Sequence, residues 1–145
     1  MKRLPIDKLG IFSQQIKGLI YVAGPYHRGG KCSKEEILEN IQKAEEASIK
    51  LILDGWSVFT PHKNNSGYEK YEEVYSELSS KEWIRRDLEI LGRCDAVFFL
   101  EGWRESPGSV LEYEFSIREE IPTFFQENLR DSTILHQKHQ KHQKH

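Results

Sequence analysis

Two five-residue runs, Leu19 to Ala23 (LIYVA) and Ala96 to Leu100 (AVFFL), place non-polar side chains at every position instead of at every second one. A strand with one wet face alternates apolar and polar residues, so uninterrupted runs predict strands covered on both faces, as in parallel sheets sandwiched by helices. Helical patterns separate the runs. Ser33 and Glu36 form a capping box ahead of Ile37, Ile41, Ala44, Ser48, Leu51 and Ile52, which recur at helical spacing until Gly55. Trp83, Ile84, Leu88 and Leu91 mark a second helix ending near Gly92, and a third is expected from about Val110 to Glu119. Two further β-rich stretches, Ser57 to Thr60 and Ile121 to Phe125, complete the alternation. The pattern predicts a single-domain α/β fold: a parallel sheet of four to five strands with helices on both faces, a flavodoxin- or Rossmann-like three-layer arrangement.

The chain has 145 residues, enough for one core and too few for two ordinary ones. The folded unit is expected over residues 18–130, after an N-terminal extension (1–17) and before a tail (131–145) that ends in HQKHQKHQKH and has no apolar face. The four tail histidines (His136, His139, His142, His145) can hold a metal weakly, but a solvated tail is the simpler reading, and no metal site is expected. With 30% charged residues and a net charge of −2, the chain lacks the basic excess of a binder of polymeric nucleic acid. No run approaches the roughly 20 apolar residues of a membrane span, and the first residues lack a signal-peptide core, so a soluble cytoplasmic protein is expected. The two cysteines, Cys32 and Cys94, read as reduced thiols. Pro61 to Ser80 (PHKNNSGYEKYEEVYSELSS) has no clean period and reads as a long loop with room for a short helix.

In a parallel sheet, ligands sit beyond the carboxyl ends of the strands. The stretch Ser106-Pro107-Gly108-Ser109-Val110-Leu111-Glu112 puts hydroxyls and a glycine at a helix start, where free backbone N–H groups favour an anion, with a carboxylate one turn deeper. Ser106 and Ser109 can donate to a phosphate, and Gly108 lets the backbone approach it. A plain N-cap with an acidic first turn would look the same. Asp87 falls beside the apolar stripe of Ile84, Leu88 and Leu91, where a carboxylate must be paired or put to use; an ion pair with Arg85, Arg86 or Arg93 is the structural alternative. Two carboxylates flanking a sugar are what glycosyl transfer requires.

The blocks IYVAGPY, GWSVFTPH, WIRRDLEILGRCDAVFFL and GWRESPGSVLEYEFS, in that order, resemble the nucleoside 2-deoxyribosyltransferase-like superfamily, which includes nucleotide N-hydrolases and uncharacterised phage and bacterial relatives. The resemblance spans roughly residues 19 to 125. It implies that Glu112, the glutamate of the S/D-x-G-x-x-x-E block, is the nucleophile. It implies that Asp87 assists the leaving base or orients the sugar, and that Tyr21 lies near the nucleophile. The residue six before the glutamate is Asp in relatives acting on nucleosides and Ser in those acting on 5′-monophosphates; here it is Ser106. A hydroxyl donates to a phosphate that a carboxylate would repel. The first loop agrees, with Gly24, then His27 and Arg28 beside Gly29 and Gly30, although Arg28 equally reads as a solvated charge. His62 reads either as a contact to base or sugar or as a loop histidine. The family often completes its site from a neighbouring subunit, so a homo-oligomer, dimer or higher, is implied. Asn128 and Ser132 align with no such role.

These readings favour an N-glycosidase of (deoxy)nucleoside 5′-monophosphates that needs no cofactor and acts on a small molecule. One alternative is a 2-deoxyribosyltransferase in which a second base replaces water. The other is a non-catalytic nucleotide-binding or sensing module, which would have no use for Glu112 as a nucleophile.

Overall fold

The computed structural model describes residues 15–26, 32–65, 68–71 and 79–128. Among them, four strands form one parallel sheet: β1 (Leu19–Ala23), β2 (Ser57–Phe59), β3 (Ala96–Phe99) and β4 (Thr123–Phe125), in the order β2-β1-β3-β4. The helices are α1 (Lys34–Leu53), α2 (Pro61–Asn65), α3 (Ser80–Leu91) and α4 (Pro107–Arg118). β1 is central and in register with both neighbours, with Tyr21 opposite Phe59 on one side and Val97 on the other.

Both faces of β1 are covered, as its unbroken apolar run predicts. Ile20 and Val22 pack with Ala44, Ala47 and Leu51 of α1, together with Trp56, Phe98 and Phe124. On the opposite face Tyr21 and Ala23 pack with Leu88 and Leu91 of α3 and with Val110 and Tyr113 of α4. This face holds α3 and α4 over the sheet, so side chains pointing inward from these two helices meet β1.

Local signals set the helix ends. The Ser33 hydroxyl accepts from Glu36 N, and the Glu36 carboxylate accepts from Ser33 N, so the capping box forms at the start of α1. Gly55, at φ +103°, follows the α1 C-cap and turns the chain into β2. α4 begins at Pro107, earlier than Val110, because proline at the first helical position gives up an N–H that has no intrahelical partner anyway. The strands are shorter than anticipated: β2 stops at Phe59, β3 at Phe99, and β4 starts at Thr123.

The segment after β2 is less open than a loop reading implies. α2 starts at Pro61, with Lys63 N and Asn64 N donating to Thr60 O, and a 3₁₀ turn follows at Tyr68–Lys70. A five-residue helix leaves too few repeats for a period to register in sequence. At the other end of the chain, Lys17 belongs to the folded unit: its N–H donates to Gly55 O and its ammonium pairs with Asp54 at 3.0 Å. The anticipated 131–145 tail lies outside the described residues. No helix among the described residues is long and apolar enough to cross a membrane.

Candidate active site

The residues proposed for chemistry meet on the α3/α4 face of β1. Tyr21 is fully buried at mid-strand, and its hydroxyl donates to Glu112 Oε2. Glu112 reaches it because Ser109, Glu112 and Ser116 recur along the face of α4 that is turned into the protein. The Ser116 hydroxyl donates to Glu112 O at 2.7 Å, so this buried hydroxyl is satisfied within the helix. Ser106 caps the helix, its Oγ accepting from Ser109 N at 3.4 Å. The loop before this cap is fixed by Trp103, whose ring packs 5.0 Å from Phe99 of β3 and 4.9 Å from Tyr113 of α4.

Burial dominates the electrostatics. It pushes the Glu112 carboxyl up to about 8, with the Tyr21 hydrogen bond pulling the other way and the charge of Asp87 adding to the rise. Burial also lifts the Tyr21 phenol well above its ordinary value, helped by Glu112 and Asp87, so it stays a proton donor. Asp87, on α3, rises to about 6 through burial, partly offset by a hydrogen bond from Asn65 Nδ2 at 3.2 Å. Asp87 is thus near enough for its charge to act on both Tyr21 and Glu112. The arginines that could have neutralised it are engaged elsewhere. Arg85 and Arg86 pair with Glu82, Arg93 pairs with Glu89, and among the described residues no cation reaches Asp87.

The profile of a family described as a domain of unknown function, DUF4406, matches residues 19–123, from the start of β1 to the start of β4. The chain belongs to that family. A solved structure of a 2-deoxyribosyltransferase from the psychrotolerant bacterium Bacillus psychrosaccharolyticus is 22% identical, over 74% of this chain and 70% of that one, with a TM-score of 0.49. No curated protein matches.

The other anticipated site residues of this DUF4406 chain divide into groups. Ser106 and Ser109 are buried at the α4 start, and the Ser109 hydroxyl has no hydrogen-bond partner among the described residues. Gly108 lies in the same turn. A Cβ there would meet Ile84 Cδ1 at 3.6 Å, an ordinary contact, so helix packing does not require glycine. Gly24 is the reverse: a Cβ would come within 2.7 Å of Leu100 Cδ1 and 2.8 Å of Leu100 Cβ, so the close approach of the two strand exits accounts for the glycine. His27 and Arg28 lie outside the described residues.

His62 is drawn into the fold. It is buried on α2, with Nε2 2.8 Å from Pro25 O and its ring edge-on to Tyr26. A carbonyl only accepts, so Nε2 carries the hydrogen and Nδ1 is left as an acceptor without a partner among the described residues. Burial lowers its proton affinity and keeps the ring neutral. His62 therefore ties α2 to the chain leaving β1.

Two features of the site have no sequence signal. Asn65 bonds Asp87 across 22 positions. Tyr68 stacks on Trp83 at 6.1 Å, one helical turn before Asp87.

Proposed function

We propose that this chain cleaves the N-glycosidic bond of a (deoxy)nucleoside 5′-monophosphate through a covalent glycosyl–Glu112 intermediate. The observation that carries the reading is the buried Tyr21–Glu112 pair with a second carboxylate, Asp87, on the adjacent helix, which no cation among the described residues reaches. Burial keeps water from solvating Glu112, and the Tyr21 hydroxyl supports its ionised form and holds its orientation. In the first step a Glu112 oxygen bonds to the anomeric carbon while the carbon–nitrogen bond breaks. The electron pair leaves with the base, which takes a proton from Asp87. In the second step water adds to the anomeric carbon, the ester to Glu112 breaks, and the proton released by water returns to Asp87.

With carboxyls at about 6 and about 8, the site carries one proton between those values; in the free protein it rests mainly on Glu112, the weaker acid, and the cycle starts from the form in which that proton has passed to Asp87. The preference for a 5′-monophosphate rests on Ser106, Gly108 and Ser109 at the α4 start. The family resemblance assigns phosphate to this turn through Ser106, and the Ser109 hydroxyl, without a partner among the described residues, is a donor available there.

The test is incubation of the protein with nucleosides and their 5′-monophosphates, with and without a second base. Free base from monophosphates and a glycosyl adduct on Glu112 are expected, and Glu112→Ala should abolish both. Exchange of bases without net hydrolysis would favour the transferase instead. Binding of monophosphates without base release would favour the sensing module.

A further inference from the structure

We propose that Asn65 is a positioning residue that reserves one oxygen of Asp87 as an acceptor and thereby leaves the other to carry the proton delivered to the leaving base. The inference rests on the glycosidase reading above and names a residue outside the blocks that carry the family resemblance.

The geometry is a short relay. Asn64 Nδ2 donates to Asn65 Oδ1 at 2.9 Å, and Asn65 Nδ2 donates to Asp87 Oδ1 at 3.2 Å. Asp87 Oδ1 can only accept, so the Asn65 NH₂ must face it, and the amide oxygen is then turned toward the Asn64 donor. An oxygen that accepts an amide N–H is a poor place for a proton, so a protonated Asp87 carries its hydrogen on Oδ2. Asn65 is half-buried at the end of α2, a helix held against the rest of the fold by the buried His62–Pro25 bond. The next turn is pinned to α3 by Tyr68 stacking on Trp83, four residues before Asp87. The amide is thus supported from both sides.

Among the described residues, the titratable groups whose charge couples to Asp87 are Tyr21 of β1 and Glu112 of α4. On its own helix Arg85 and Arg86 are held by Glu82, and on α2 Lys63 is held by Glu45 at 2.6 Å. Asn65 is the hydrogen-bond donor to this carboxylate among the described residues. It stabilises the charged form, so its loss makes Asp87 a weaker acid.

Asn65→Ala should lower kcat for the natural monophosphate by roughly tenfold or more, the scale of a misplaced general acid, with little change in KM. The acid limb of the pH–rate profile should move to higher pH. A leaving group that needs no proton, such as 4-nitrophenolate on the same sugar phosphate, should be released by the variant as fast as by the wild type. Asn64→Ala, which frees the amide to rotate, should act in the same direction to a smaller extent. If base release is normal in wild type and Asn65→Ala leaves the limb and kcat unmoved, or slows both leaving groups equally, the positioning role is overturned. If wild type releases neither base nor 4-nitrophenolate, it is the glycosidase reading that falls.

Discussion

The Tyr21 hydroxyl donates to the Glu112 carboxylate across 91 positions of chain, joining the middle of the central strand to the inward face of α4. A phenol donating to a buried carboxylate favours the ionised form that burial opposes. Tyr21→Phe keeps the ring in its pocket against Phe59 and removes only the donor. We expect the fold to persist and kcat for base release to fall by roughly tenfold to hundredfold, the scale of a charge-assisted hydrogen bond of ~1.5–3 kcal/mol. The pH at which Glu112 ionises should rise in the same variant. An unchanged rate would remove Tyr21 from the machinery.

The two carboxyls set a pH optimum. Below about 6 both are protonated and the nucleophile is absent; above about 8 both are ionised and no acid serves the leaving base. A bell-shaped kcat/KM profile with limbs near these values is expected. Asp87→Asn should lower the rate by about 10²-fold or more while leaving the melting temperature nearly unchanged, since no ion pair is broken.

Stability should follow the same groups with a definite sign. The Glu112 carboxyl is raised in the folded state, so the folded chain binds a proton that the unfolded chain has already lost. Its stabilising effect is complete below the unfolded value near 4.5 and disappears as pH rises through about 8. Wild type should therefore melt at a lower temperature at pH 9 than at pH 6. Glu112→Gln should flatten that difference and raise the alkaline melting temperature by several degrees, because each tenfold change in the proton affinity of a group on folding corresponds to ~1.4 kcal/mol. Parallel pH–melting curves for the two proteins would contradict a buried, proton-holding Glu112.

Ser106→Asp tests the phosphate assignment. The aspartate still caps α4, so the helix survives, but it sets a negative charge beside the proposed position of the phosphate dianion. The ratio of kcat/KM for a monophosphate to that for its nucleoside should drop by roughly tenfold or more in the variant. A wild type that prefers the nucleoside, or a ratio the substitution does not move, would refute the assignment.

The two site glycines should respond oppositely to alanine. Gly24→Ala drives a Cβ into Leu100 and should destabilise the protein by roughly 1–3 kcal/mol, the usual penalty of overpacking. Gly108→Ala has room beside Ile84 and replaces a poor helix former, so the melting temperature should hold or rise. Its monophosphate KM should nevertheless increase if the backbone meets the phosphate there as proposed, because a methyl group then stands in the way. Thermal unfolding alongside KM for both variants separates packing from binding.

Much of this protein was legible in short stretches of chain. The apolar runs of β1 and β3 required a sheet covered on both faces, and the Ser33–Glu36 box marked the start of α1. These signals are local: a strand's burial is written in consecutive residues, and a cap in residues three apart. The blocks around Tyr21, Asp87 and Glu112 likewise singled out residues that the fold brings onto one face. What the sequence could not contain is which partners those residues meet. That Asp87 is answered by an amide and not by an arginine, that His62 turns into the fold toward Pro25, and that Leu100 demands a glycine at position 24 while Ile84 demands none at position 108 all depend on strand order and helix packing. Such contacts join segments far apart in the chain. Their distances are decided only when the sheet closes between α1 on one face and α3 and α4 on the other.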